Sequence, residues 1–255
     1  MKFASLGSGS EGNALLVAAS DASATIMVDC GFALRETERR LRRIGVEPGA
    51  ISAIFVTHEH SDHVGGVFKL ARKYRIPVFL SQGTWQAARA DADGVELSWC
   101  RDSAPIEIGS LRLLPYTVPH DAREPLQCVV QEGVQRLGVL TDAGHATEHM
   151  IAMLDACDAL LLEYNHDPRM LMESSYPHFL KQRIAGDHGH LSNQASADIL
   201  AAIDRSRLKT VVAAHLSRKN NTPELAMAAM LSVIAEGSVA LSCACQDMGF
   251  GWIEV

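Results

Sequence analysis

Polar and apolar positions along this chain repeat one arrangement, a short apolar run that stops at a polar and often ionisable residue. Thr25-Ile26-Met27-Val28 runs into Asp29, and Ala53-Ile54-Phe55-Val56-Thr57 runs into His58. The run from Leu111 to Val118 leads to His120, and Leu137-Gly138-Val139-Leu140-Thr141 leads to Asp142. Leu160-Leu161-Leu162 meets Glu163, and Thr210-Val211-Val212-Ala213-Ala214 meets His215. Short continuous apolar runs predict strands buried on both faces. Helical patterns lie between them. From Leu34 to Ile44, apolar Leu34, Leu41 and Ile44 alternate with Arg35, Arg39, Arg40, Arg42 and Arg43, an arginine set that reads as a solvated helix face. Val64, Val67, Phe68 and Ala71 fall at i, i+3, i+4 and i+7, which predicts one amphipathic helix after His63. Residues 194–203 and 223–234 predict two more. Strands and helices interleave throughout, so residues 1–255 are expected to form a single α/β domain of stacked layers. Ligands of layered α/β folds gather beyond the carboxyl ends of strands, which makes the residues that end these runs candidates for a site. A weak internal echo, Asp29-Cys30-Gly31 and Asp142-Ala143-Gly144, closes two of the runs.

Composition narrows the setting. With 47% hydrophobic and 21% charged residues the chain has ample material for a core. It has no apolar run of transmembrane length and opens without a secretory signal. Its six cysteines are scattered, Cys243 and Cys245 being the one close pair, so reduced thiols in a cytoplasmic protein are expected. The net charge of −7 argues against a broad nucleic-acid surface and leaves room for a local one.

Thr57-His58-Glu59-His60-Ser61-Asp62-His63 packs three histidines and two carboxylates into seven residues. Imidazole and carboxylate suit zinc and similar divalent ions. In an extended turn His58 and His60 share a side, and Asp62 and His63 then open a helix beside them. The loop can thus offer two ligands to each of two neighbouring ions. A polar turn capped by Asp62 is the plainer alternative, but it leaves three histidines after a buried strand without a purpose.

The H-x-H-x-D-H motif after an apolar strand, followed in order by His120, Asp142 and His215 at later strand ends, resembles the metallo-β-lactamase superfamily. The resemblance implies an αββα four-layer sandwich. It implies one ion on His58, His60 and His120, a second on Asp62, His63 and His215, and Asp142 as the bridge. It also implies that Asp29 supports the ligand loop by hydrogen bonds. The cofactor so implied is two divalent ions, zinc first, with manganese or iron as the alternatives. Lactamases of the best-known type carry cysteine where Asp142 stands, and the inserted cap and the Gly/Pro-rich arm of other nucleases in the superfamily are missing. Glu163-Tyr164-Asn165-His166-Asp167, Gly189-His190-Leu191-Ser192-Asn193 and Ala214-His215-Leu216-Ser217-Arg218-Lys219-Asn220-Asn221 resemble the YycJ/WalJ-type branch. So do Leu6-Gly7-Ser8-Gly9-Ser10-Glu11-Gly12-Asn13 and His120-Asp121-Ala122 with Pro125. That branch implies a 5′-to-3′ exonuclease acting on DNA. By parallel with the tRNA-processing enzyme it implies His190 as general acid and Glu163 as its orienting partner.

The reading is therefore a dinuclear metal-dependent hydrolase of phosphodiester bonds with DNA as substrate. Hydroxide made available by the ions attacks phosphorus, and Asp62 orients or deprotonates that nucleophile while binding metal. Ser8, Ser10, Asn13 and Asn165 are candidate substrate contacts, and Arg218 and Lys219 candidate phosphate contacts beyond His215. A tight turn is the plain reading of residues 7–13. A helix cap is that of Ser192 or Asn193, with His190 an ordinary turn residue, and His188 beside it the bystander. His145, His149, His166 and His178 are taken as surface residues. Two rivals stay open, a hydrolase of small thioesters or small phosphodiesters on the same ligands, and a redox or metal-binding protein without hydrolysis. The oligomeric state is also open, a homo-oligomer included.

Overall fold

The computed structural model describes residues 1–88 and 91–255. Its first sheet begins with β1 (Lys2–Gly7), β2 (Ala14–Ala18) and β3 (Thr25–Val28). Helix α1 (Leu34–Arg43) leads to β4 (Ala53–Phe55), α2 (Ser61–Val64) and α3 (Val67–Tyr74) to β5 (Val78–Leu80), and α4 (Gln82–Ala88) precedes β6 (Leu97–Trp99). The second sheet opens with β7 (Ile106–Ile108), β8 (Leu111–Thr117), β9 (Leu126–Glu132) and β10 (Gln135–Leu140). It continues through α5 (Glu148–Leu154), β11 (Ala159–Glu163), α6 (Pro168–Glu173), α7 (His178–Ile184), α8 (Asn193–Ala202), β12 (Thr210–Ala214), α9 (Pro223–Leu231) and β13 (Ala240–Cys243). The final strand β14 (Phe250–Glu254) returns to the first sheet, antiparallel to β1. Among the described residues no helix is long and apolar enough to cross a membrane.

The two sheets repeat one plan. Strand order is β14-β1-β2-β3-β4-β5-β6 in one and β7-β8-β9-β10-β11-β12-β13 in the other. In each, antiparallel pairing gives way to parallel pairing at the fourth strand along, β3 or β10. The Asp-x-Gly echo falls directly after these two equivalent strands. Gly31 and Gly144 are needed there because a Cβ would run into the carbonyl oxygens of Asp62 and Asp187 respectively.

Successive side chains of a strand face opposite ways, so runs apolar throughout can feed two cores at once. Ile26 and Val28 join Phe3, Leu113, Leu161 and Val212 between the sheets, while Met27 turns outward to Leu41, Ile54 and Leu70 beneath α1 and α3. On the second sheet Leu160 and Leu162 turn outward to Leu154, Ile199 and Met230 of α5, α8 and α9. The result is helices, sheet, sheet and helices, the αββα sandwich. Each fully buried Leu or Ile stabilises it by roughly 1.5–3 kcal/mol relative to exposure.

Two expectations change. The helix after His63 is two helices, since Gly66 donates its N–H to the Cys30 carbonyl at 2.7 Å, outside any helical ladder. The α1 arginines are not all solvated. Arg40 is buried, donates to the carbonyls of Leu6 (2.7 Å) and Gln246 (2.9 Å), and stacks 4.0 Å from the Phe32 ring. Those carbonyls satisfy the guanidinium that burial would otherwise penalise.

Candidate metal centre

Strand exits bring the site together. Asp29, Asp142 and His215, just past β3, β10 and β12, all adopt left-handed backbone with φ of 59°, 59° and 55°. Such a turn costs of order 1–3 kcal/mol in a non-glycine residue and persists only where the surroundings enforce it. For His215 the enforcement is visible. Its backbone N–H donates to Ser8 Oγ at 2.9 Å, and its carbonyl accepts from Asn165 Nδ2 at 3.0 Å. Two residues expected at the substrate therefore hold the backbone of His215.

Hydrogen bonds then set which ring nitrogen of each histidine points inward. His63 Nδ1 donates to Asp29 Oδ2 at 2.8 Å, and His120 Nδ1 donates to the Gly189 carbonyl at 2.9 Å. Thr57 gives its hydroxyl proton to Asp29 Oδ2 at 2.8 Å, so its oxygen accepts from His58 Nδ1 at 2.9 Å. His215 Nδ1 faces Glu163 Oε1 at 3.1 Å. Every one of these Nε2 atoms is thereby turned to the interior, the outer-contact pattern that orients metal-binding imidazoles. His60 completes the set through Nδ1, 3.3 Å from His120 Nε2.

The inward atoms lie close enough for shared cations. Donor atoms of His58, His60 and His120 fall within 4.8 Å of one another, as do those of Asp62, His63 and His215. Asp142 joins them, with Oδ2 3.1 Å from His63 Nε2 and Oδ1 4.0 Å from His120 Nε2. His58 Nε2 and His215 Nε2 are buried and lack any hydrogen-bond partner. Buried polar atoms are rarely left so, and these are donors that a divalent ion accepts, so the residues fit a metal.

The electrostatics agree. Burial opposes the charge of Asp142, yet His215 and His63 hold it well below the usual carboxylate range. Burial alone would depress His63, but Asp142 and Asp29 push it well above the ordinary imidazole value. His215 rises to about 10 against burial, through Asp142, Asp62 and Glu163. The surrounding carboxylates thus favour the charged form of both imidazoles. Positive charge is what this pocket demands, and metal binding displaces such protons.

Glu163 stands behind the cluster, fully buried, and accepts from His190 Nδ1 at 2.8 Å as well as from His215. Burial would raise its pKa, but His190 and His215 lower it to about 2. A cleft of about 370 Å³ opens over these groups, lined in part by Ser10, Asp62, Asn165, His190 and His215. Ser8, Asn13, Arg218 and Lys219 do not line it. Asn13 is buried against the ligand loop, its N–H on the Asp62 carbonyl at 2.8 Å. Arg218 is committed to Glu11 at 3.0 Å and Asp247 at 2.5 Å. Ser192 is the N-cap of α8, accepting from the Ala195 N–H at 3.2 Å, as the plain reading of that residue has it. His166, expected at the surface, is buried with burial lowering its pKa to about 4.

Sequence reasoning gave no role to Asp121, Tyr176 or Arg183, which also line the cleft. Asp121 Oδ1 lies 3.4 Å from His120 Nε2 and 3.6 Å from His60 Nε2, and Oδ2 receives Arg183 Nε at 2.5 Å. The adjacency of Asp121 to His120 was the one available signal.

A folded pair of mixed sheets with a histidine–carboxylate cluster at the strand ends defines a two-sheet sandwich with a candidate metal centre. A family model described as Beta-lactamase superfamily domain matches residues 24–216. The exodeoxyribonuclease YycJ of Bacillus anthracis is 32% identical over 239 residues, 92% of this chain and 90% of that one. The exodeoxyribonuclease WalJ of Streptococcus pneumoniae is 32% identical over 245 residues, 94% of this chain and 90% of that one. The crystal structure of the metallo-β-lactamase fold protein YhfI from Bacillus subtilis superposes with a TM-score of 0.75 at 13% identity, covering 99% of each chain. The chain belongs to the β-lactamase superfamily, and within it resembles the YycJ/WalJ exodeoxyribonucleases.

Proposed function

We propose that this hydrolase is a nuclease with two divalent cations, acting on DNA as a 5′-to-3′ exonuclease. Similarity over nearly the whole chain to relatives named exodeoxyribonucleases supports the substrate class. The observation that carries the chemistry is the Glu163–His190 pair beside the ligand cluster. His58, His60 and His120 would hold one cation, Asp62, His63 and His215 the other, and Asp142 would bridge them. Zinc suits this imidazole and carboxylate set, with manganese or iron as alternatives. Such a pair supplies Lewis acidity and a nucleophile at neutral pH when bound.

The chain's own groups do the rest. Asp62 orients the attacking water. Glu163 fixes the His190 ring through Nδ1, so that Nε2 can deliver a proton to the leaving oxygen. Ser10 and Asn165 lie where the substrate must pass. We also take residues 1–255 as one domain, because β14 pairs with β1 and one core joins both sheets. Six free cysteines among the described residues support a cytoplasmic setting.

The modest cleft, near the low end of the roughly 300–1,000 Å³ typical of small-molecule sites, favours a small phosphodiester or thioester as the second reading. The deciding experiment gives metal-loaded protein end-labelled single- and double-stranded DNA and RNA, beside a nitrophenyl phosphodiester and a thioester. Stepwise release from 5′ ends of DNA, with elemental analysis near two equivalents of metal, is expected. Turnover of the small substrates with every nucleic acid intact would overturn the nuclease reading.

A further inference from the structure

Of the five histidines in the ligand clusters, four have the nitrogen that faces away from the cluster engaged. Thr57 holds His58, Asp29 holds His63, the Gly189 carbonyl holds His120 and Glu163 holds His215. His60 is the exception. Its Nδ1 turns to His120 Nε2 at 3.3 Å, so Nε2 faces outward, and no hydrogen bond among the described residues uses it. A ring left free to rotate pays entropy when a cation fixes it, which a partner on the outer nitrogen would prevent. The group that Nε2 faces is Asp121 Oδ1 at 3.6 Å, an ion-pair separation just beyond hydrogen-bond range.

Asp121 is itself held at both ends. Its Oδ2 accepts from Arg183 Nε at 2.5 Å, and its N–H donates to the His188 carbonyl at 2.9 Å. Both partners belong to residues 183–190, the end of α7 and the turn after it. The same stretch gives the Gly189 carbonyl to His120 and the Ile184 carbonyl to the His190 N–H, each at 2.9 Å. Gly189 suits the tight turn, since a Cβ there would strike the carbonyl oxygens of Arg183 and Ile184. Asp121 is better placed to orient a ligand than to be one. The donor atoms of His58, His60 and His120 fall within 4.8 Å of one another, and among the described residues Asp121 joins no such set. One of its oxygens is already taken by a guanidinium that never loses its charge. A carboxylate behind an imidazole fixes the tautomer and orientation of a metal-binding ring.

We propose that Asp121, held by Arg183, is the positioning residue of His60, which accepts the proton on Nε2 and so aims Nδ1 at the first cation. The assignment deepens the two-cation reading and rests on it, and it is independent of the substrate.

The test is zinc binding by the full chain with no substrate present. Metal-free wild type, Asp121→Ala, Arg183→Ala and Arg183→Lys are titrated with zinc against a competing chelator. Wild type should take two equivalents. In Asp121→Ala one of them should bind about 10- to 100-fold more weakly while the other holds. Arg183→Ala should weaken the same equivalent by less, and Arg183→Lys, which keeps a cationic donor, should recover part of that loss. Nitrogen NMR of labelled histidines in the zinc-loaded wild type should show one ring bound at Nδ1 and protonated at Nε2, with that proton exchanging faster in Asp121→Ala. The denaturant midpoint of the metal-free variants should stay close to wild type, because ion pairs this exposed contribute little to stability. Equal zinc affinity in wild type and Asp121→Ala, no ring bound through Nδ1, or a large fall in midpoint each overturn the assignment. A zinc-loaded crystal structure with Asp121 on the cation overturns it too, by making Asp121 a ligand. Wild type that binds fewer than two equivalents removes the two-cation reading and the assignment with it.

Discussion

Glu163 Oε1 accepts the Nδ1 proton of His190 at 2.8 Å, which leaves Nε2 as the ring nitrogen available to the cleft. His190→Ala should therefore lower kcat on oligonucleotides by about 10²–10⁴-fold, the usual worth of a general acid. The loss should shrink on nitrophenyl esters, whose leaving group needs no proton. Metal content, measured on the same preparations, should stay at the wild-type level. A variant short of metal would instead make His190 a ligand.

Asp29 accepts three hydrogen bonds, from the Thr57 N–H, the Thr57 hydroxyl and His63 Nδ1, each at 2.8 Å. Asp29→Asn keeps the shape but cannot accept all three through a carboxylate. Chelator competition should show metal affinity weaker by about 10- to 100-fold, as for other partners that orient ligands. An affinity equal to wild type would show that the loop holds itself.

Ser8→Ala strips the acceptor from the buried His215 N–H. The unsatisfied group should cost about 1–3 kcal/mol in denaturant unfolding of the metal-free protein. Because His215 then loses a restraint on its left-handed backbone, metal affinity should fall too. Substrate KM should not move if Ser8 acts on His215 alone, and a selective rise in KM would return Ser8 to the substrate.

Asp158 offers a pH test away from the metal centre. Burial opposes its charge, but the Arg136 N–H, Lys209 and Arg207 outweigh burial and lower its pKa. A folded pKa below the unfolded one means that the ionised group stabilises the fold above the unfolded value of about 3.9. That contribution is lost as pH falls through the folded value. Asp158→Asn should destabilise by about 1–3 kcal/mol at neutral pH, and the difference should shrink as pH falls below the unfolded value. A constant difference across that range would mean that packing is responsible.

Much of this was legible because the buried strands are short and end abruptly. Thr25–Val28 and Thr210–Ala214 are strands with the bounds their apolar runs predict. The edge strands β6, β7, β13 and β14 were not legible, since their side chains are half exposed and carry no sustained pattern. The residues proposed as ligands could be listed from the family resemblance that their order carries, whereas the turning of each ring by Thr57, Gly189 or Glu163 depends on contacts up to 69 residues apart in sequence. Ser8 looked like a substrate contact because a polar residue of a loop near a site does so, and only the fold shows the backbone N–H of His215 waiting for it. Asn165 holds the His215 carbonyl and also lines the cleft. Arg183 and Tyr176 belong to a segment whose short helices lack the periodicity that would place them over the cleft.

The repeated plan of the two sheets has a mechanical consequence. His58, His60, Asp62 and His63 hang from the first sheet, and His120, Asp142, Glu163, His190 and His215 from the second. A cation shared by His58, His60 and His120, or by Asp62, His63 and His215, would rivet the two halves together at one rim of their common seam. Its removal should leave Phe3, Leu113 and Val212 packed between the sheets while the rim gapes, so amide exchange should quicken first at residues 57–63 and 142–145, well before β3 or β11. In this protein, reactivity and the closure of the molecule's open edge would be two results of the same bond.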